Sequence, residues 1–167
     1  MVSDLLERAR AVAGAVPDPE VPVLTIEDLG VLRDVVLADD GGVEVTVTPT
    51  YSGCPAMDVI RRDIVDALTS AGFERVGVTT TLSPAWTTDW MTERGRMALA
   101  GYGIAPPGPR AATGRRGGGA VPLRLAVRCP QCGSPDTQEV SRFGSTACKA
   151  LWRCRACAEP FDAFKAI

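Results

Sequence analysis

The sequence predicts an α+β chain: a small mixed β-sheet with helices, followed by a short C-terminal ribbon held by four cysteines. Three observations predict it. Residues 43–48 alternate apolar and polar side chains, the period of a half-buried strand. Past a turn at 49–54, Ile60, Ile64 and Leu68 recur every four residues as the apolar stripe of a helix, and a Val/Thr-rich strand follows at 75–82. Far downstream, Cys129-x-x-Cys132 and Cys154-x-x-Cys157 stand 21 residues apart.

Taken in order, residues 3–15 read as a short helix with Ser3 as N-cap and Leu5, Leu6, Ala9 and Val12 on its apolar side. Pro17, Pro19 and Pro22 forbid its continuation and favour an extended loop. Residues 25–30 add a helical turn closed by Gly30, and 31–37 form a strand. Asp39-Asp40-Gly41-Gly42 is a hairpin signal that sets this strand antiparallel to 43–48. The helix is expected over 55–71, with Pro55 at its first position, Asp58 and Arg62 spaced i,i+4 on its outer face, and Gly72 as its stop. A strand–helix–strand crossover then makes 75–82 parallel to 43–48. A further helix is expected from Thr87 or Thr88 to about Ala100, its Trp86, Trp90, Met91 and Met97 packing as core or lid, or facing a ligand or partner.

Residues 105–120 have the Pro/Gly/Arg composition of a linker. The expected organisation is therefore an α/β domain over 1–104, a linker over 105–124 and a ribbon over 125–167. Charge divides the same way. Residues 1–104 hold eight basic and sixteen acidic side chains, and residues 105–167 hold ten basic and four acidic. The acidic body disfavours nucleic acid and suits a protein partner.

Histidine is absent, which excludes Ser-His and Cys-His catalytic pairs, histidine metal ligands and the commonest general base. No apolar run reaches the roughly 18–20 residues of a membrane span, and the start of the chain lacks a signal peptide's basic and apolar regions. The expectation is a cytoplasmic protein whose cysteines stay reduced.

In that setting C-x2-C-x21-C-x2-C reads as a tetrahedral zinc site, with Cys129, Cys132, Cys154 and Cys157 as ligands and Zn2+ in a structural role. Some 40 residues bury too little apolar surface to fold without a staple. A rubredoxin-like iron site or a redox dithiol pair is the alternative. Strands are expected at 137–143, 149–153 and 161–167, with Cys148 a strand residue outside both knuckles. Cys54, at the mouth of the strand–helix turn, is expected at or beside the helix N-cap, where N–H groups favour a thiolate. Its alternative is a small buried hydrophobe.

With both modules described, the chain resembles the PaaD (PaaJ) family of bacterial phenylacetate degradation. Its N-terminal part is similar to the metal–sulfur cluster biosynthetic family that includes SufT. The resemblance rests on residues 18–24, 28–30, 48–56 and 82–90, and on the ribbon with its Phe143-Gly144-Ser145-Thr146-Ala147-Cys148-Lys149-Ala150 segment. It implies a non-catalytic accessory subunit of a phenylacetyl-CoA 1,2-epoxidase, assisting the assembly of iron or iron–sulfur centres. Cys54 is then the thiolate that meets iron or a cluster transiently, with Asp18, Glu20 and Asp28 as weaker candidates whose alternative is turn and cap hydrogen bonding. The implied partners are the oxygenase and reductase subunits, and a homodimer stays open. The competing reading is a zinc-ribbon module that binds nucleic acid or protein and delivers no metal.

Overall fold

The computed structural model describes residues 2–108 and 127–166. The chain divides into two compact units, Met1–Ala98 and Leu99–Ile167.

The first unit is built on a three-stranded sheet in the order β1-β2-β3, with β1 at Leu32–Leu37, β2 at Val43–Val47 and β3 at Val76–Thr80. β1 and β2 are antiparallel, Leu37 facing Val43 across the hairpin, and β3 is parallel to β2, Val45 facing Val78. The alternation in β2 buries Val43, Val45 and Val47 completely. The hairpin closes as its glycines require: Gly41 adopts φ +79°, the Ala38 N–H reaches Gly42 O at 2.8 Å, and Asp40 Oδ1 accepts from the Gly42 N–H. Helix α1 (Val2–Gly14) packs on β1 and on α2 (Met57–Ser70), and α2 packs on β3. The stripe of α2 buries Met57, Ile60, Ile64 and Leu68, each side chain contributing about 1.5–3 kcal/mol.

The structure differs from the sequence reading at several ends. α2 starts at Met57 with Ala56 as its N-cap, so Pro55 lies in the turn before it and Cys54 two residues outside the cap. Asp58 pairs with its i,i+3 neighbour Arg61, at 2.7 Å. The expected helix over 87–100 is broken into a 3-10 turn at Thr88–Trp90 and helix α3 at Glu93–Gly101. Threonines cap both pieces: Thr87 Oγ1 accepts from the Asp89 N–H, and Thr92 Oγ1 from the Gly95 N–H.

The second unit is a four-stranded sheet in the order β4-β7-β6-β5, comprising β4 (Ile104–Ala105), β5 (Thr137–Ser141), β6 (Lys149–Cys154) and β7 (Pro160–Phe164). β5, β6 and β7 are antiparallel neighbours, and β4 adds in parallel beside β7, Ile104 facing Asp162. Its core gathers Ala105, Cys129, Cys154, Phe161 and Ala163, with Val127 and Trp152 against them. Ala105, assigned to the linker by composition, is 1% exposed in this core. Two residues are too few to show a strand's period, and the prolines after them dominate the local composition. Residues 106–108 follow β4 without regular structure, and the expected linker from 109 to 124 lies outside the described residues. Cys148 is buried in the turn just before β6 rather than in a strand, its sulfur 3.0 Å from Thr146 Oγ1.

Candidate metal centre and thiol site

The four knuckle cysteines converge. Each knuckle is a tight turn: Gly133, at φ +73°, donates its N–H to Cys129 O at 2.8 Å, and the Cys154 N–H reaches Glu159 O across Ala158 at φ +65°. Cys129 and Cys154 are buried, Cys132 and Cys157 exposed, and all four sulfurs lie within 4.8 Å of one another. Sulfurs of opposite knuckles approach to 3.8 Å (Cys129–Cys157) and 3.6 Å (Cys132–Cys154). A tetrahedral zinc with Zn–S bonds of about 2.3 Å has S–S edges of about 3.8 Å, so the donor set fits the ion.

The bare thiols show why a cation belongs there. A hydrogen bond from the Cys157 backbone favours the Cys154 thiolate and draws its pKa down to about 7. At Cys157 the Glu159 backbone favours the thiolate, but desolvation of the sulfur by its neighbours and the nearby sulfurs of Cys132, Cys154 and Cys129 outweigh it and push the pKa to about 12. Four sulfurs this close cannot all ionise without a positive charge among them. Bound zinc would hold the two knuckles to the ends of β5 and β6 and, with four protein ligands, keep no position open for water.

The second site lies at the carboxyl ends of β2 and β3. β2 is continued by the Thr48 N–H, bonded to Val31 O at 2.9 Å, and the chain then turns through Gly53 (φ +89°) into Cys54. Open space surrounds the place a Cβ would take on Gly53, so backbone angle alone asks for glycine there. The hydroxyls of Thr48 and Thr80, at these same strand ends, are buried without a hydrogen-bond partner.

Cys54 is half-buried, and burial raises its thiol pKa. Backbone hydrogen bonding with Ala56 and a side-chain bond with Tyr51 favour the thiolate, Glu20 and Asp18 oppose it, and the balance stays raised. The expected N-cap thiolate is therefore not what the fold makes. Asp18 is fixed by its own loop, its Oδ1 accepting from the Glu20 and Val21 N–H groups at 2.9 and 2.8 Å, while Pro17 bridges to Thr25. The charges of Glu20 and Asp18 thus reach the Cys54 thiol, although the cysteine stands 34 or more positions from either carboxylate, and the three do not form a group of ligand atoms within 4.8 Å.

Asp28 belongs to a different set. Its Oδ2 accepts from the Thr25 N–H and hydroxyl, and its Oδ1 from the Thr92 hydroxyl and from Arg94 Nη2 at 2.9 Å. Burial favours the neutral acid, but these donors outweigh it and the carboxyl pKa is lowered. The sequence reading missed Thr92 and Arg94; a threonine followed by Glu93 was the available N-cap signal. Gly95 lets the first turn of α3 come close, since a Cβ there would stand 3.0 Å from Asp28. Nearby, Trp86 Nε1 donates to Leu29 O at 2.9 Å and the Arg33 guanidinium lies 3.5 Å from the centre of the Trp90 ring, so both tryptophans pack onto the 28–33 segment. Met91 is buried with them, whereas Met97 is largely exposed.

Comparison with known proteins fits this two-part arrangement. Residues 7–80 match the family model of an iron–sulfur cluster assembly protein, and residues 118–165 match the PaaD zinc beta ribbon domain. A protein of Escherichia coli (strain K12), whose name assigns it to a 1,2-phenylacetyl-CoA epoxidase, is 50% identical over 157 residues, which cover 94% of this chain and 90% of that one. An Fe-S protein maturation auxiliary factor of Porphyromonas gingivalis is 39% identical over 83 residues, 49% of this chain and 78% of its own. Among solved structures, a domain of unknown function, DUF59, from Bacillus anthracis matches with a TM-score of 0.54 and 26% identity, covering 58% of this chain and 92% of its own. The shorter relatives match about half of this chain, whereas the Escherichia coli protein matches nearly end to end. The chain belongs to the PaaD family, an iron–sulfur cluster assembly domain joined to a zinc ribbon.

Proposed function

We propose that this chain is a maturation subunit of a phenylacetyl-CoA 1,2-epoxidase, passing iron or an iron–sulfur centre to an oxygenase or reductase component through Cys54, with Zn2+ as the structural ion of the ribbon. The observation that carries it is the half-buried Cys54 thiol in the turn that leaves β2, at the carboxyl end of two parallel strands where ligand sites of open α/β sheets lie, with the charges of Glu20 and Asp18 reaching it. A bare thiolate there is opposed by both carboxylates. Arrival of a ferrous ion as cargo reverses that: the carboxylates draw it in, and Cys54 gives up its proton on binding. Among the described residues, only the ribbon cysteines form a group of three or more ligand atoms within 4.8 Å. Cys54, Asp18 and Glu20 are not such a group, so a ferrous ion meeting Cys54 there would be held by few ligands of this chain, which suits hand-over rather than storage. The names of the relatives support both halves of the reading, epoxidase and maturation.

The test is to produce the epoxidase subunits with wild-type chain, with Cys54→Ser or with neither, and to measure iron and activity in each subunit. Cys54→Ser is expected to leave subunit levels normal but iron and activity as low as in the absence of the chain, while its own stability changes by about 1 kcal/mol or less. Full iron loading with the serine variant overturns the reading. So does epoxide formation by this chain alone with iron, reductant and oxygen, since it holds no histidine for the Glu-x-x-His motif of carboxylate di-iron oxygenases.

A further inference from the structure

The loop between β5 and β6, residues 142–148, spends its polar groups on holding one apolar side chain in solvent. Phe143 is 76% exposed. Around it, the Phe143 N–H donates to Ser141 Oγ, the Gly144 N–H to Lys149 O at 2.9 Å, and Ser145 Oγ to Asp162 Oδ2 at 2.6 Å. Lys165 ties the loop to the end of β7 twice, its Nζ donating to Ala147 O at 2.7 Å and its N–H to Cys148 O at 2.9 Å. Gly144 is required at this crossing, because a Cβ would fall 2.7 Å from Asp162 Oδ1 and 3.1 Å from the Lys149 backbone. Such a network gains nothing for the core by presenting a phenyl ring outward. A rigid aromatic held ready costs little entropy to bury against a partner, and such anchors dominate interface energies.

The surroundings say what kind of partner fits. Lys165 Nζ stands 5.2 Å from the centre of the Phe143 ring, and Arg142, itself on the surface, precedes it in the chain. Beside the ring runs an open groove of about 470 Å3 whose apolar lining includes Leu151, Pro160 and Phe161, and whose acid, Asp162, is already engaged by Ser145. Backbone pairing along the free edge of β5 is disfavoured by the register shift between Glu139 and Ser141. Side chains must then carry recognition.

We propose that the 142–148 tip is a docking knob for an acidic protein surface: Phe143 enters an apolar socket on a partner, and Arg142 and Lys165 meet carboxylates on its rim. The inference rests on the maturation reading for the identity of the partner, an epoxidase subunit. Titration calorimetry of the full-length, zinc-loaded protein against each purified oxygenase and reductase subunit, at low and high salt, tests it. Wild type is expected to bind one of them, Phe143→Ala to bind about 30-fold more weakly, and Arg142→Glu to lose affinity mainly at low salt. Both variants are expected to keep their zinc content and circular dichroism, and Cys54→Ser to keep the affinity while losing maturation. A subunit bound by Phe143→Ala within about twofold of wild type overturns the knob and leaves the maturation reading standing. Failure of wild type to bind any subunit overturns both. Phe143-dependent binding of a single-stranded oligonucleotide, or Phe143-dependent self-association, overturns the acidic subunit as the occupant.

Discussion

Arg94 donates to Asp28 at 2.9 Å, and the two side chains live in different worlds: Asp28 is 2% exposed and Arg94 70%. The carboxylate is held by buried donors from Thr25 and Thr92, with Arg94 as an outer partner. Asp28→Ala, which orphans those donors, is expected to cost about 2–3 kcal/mol, and Arg94→Ala, at the exposed end, about 1 kcal/mol or less. The pH dependence follows from the sign. A carboxyl whose folded pKa is lowered contributes stability above its unfolded value of about 3.9, and that contribution is lost as pH falls through the folded pKa. Urea unfolding of wild type and Asp28→Asn between pH 2 and 6 checks this: the variant's stability is expected to fall less steeply below about pH 4.

Metal removal is expected to act on one unit only. A strong chelator under mildly denaturing conditions, or Cys154→Ser, takes the staple from a sheet whose core includes two of its ligands, Cys129 and Cys154. Metal analysis is expected to give one zinc per chain. On its removal, fluorescence reporting Trp152 is expected to shift while hydrogen exchange in β2 and α2 remains slow.

Alkylation of Cys54 offers a chemical measure of its surroundings. Because burial and the Glu20 and Asp18 charges raise its pKa, iodoacetamide is expected to react more slowly with Cys54 at pH 8 than with an unstructured thiol, and its rate to keep rising above the ordinary thiol range. Glu20→Gln removes one opposing charge and is expected to speed the reaction. Peptide mapping separates Cys54 from buried Cys148 and from the zinc ligands.

Gly30 is a position without substitutes. It adopts φ +71°, and a Cβ there would stand 2.6 Å from both Cβ and O of Trp90. Gly30→Ala is expected to destabilise by about 2–4 kcal/mol and to disturb the stacking of Arg33 on Trp90, seen as a changed tryptophan emission in the folded protein.

What the sequence revealed depended on how local the cause was. The alternation in β2, the α2 stripe and the Asp40-Gly41 hairpin are short-range patterns, and each formed as read. The ribbon ligands were legible because metal geometry dictates their spacing. Cys54 lies two residues before the N-cap rather than at or beside it, since a turn through 54–56 stands between Gly53 and the helix. Its electrostatics were misread as well, because the carboxylates that set them arrive from the 18–20 loop. Asp28 drew two of its donors, Thr92 and Arg94, from 64 and more residues away, beyond any pattern along the chain.

The pairing of β4 with β7 carries a consequence for dissection. The strand Ile104–Ala105 precedes the stretch from 109 to 126, yet completes the sheet that follows it. A fragment beginning at residue 125 therefore lacks one strand of that sheet and exposes the edge of β7, inviting a second fragment to fill the gap. Conversely, a single proteolytic cut within 109–126 does not liberate the ribbon: the upstream piece keeps hold of it by a strand, as in a split protein whose halves stay clasped. Denaturing electrophoresis would show two chains where gel filtration still shows one particle.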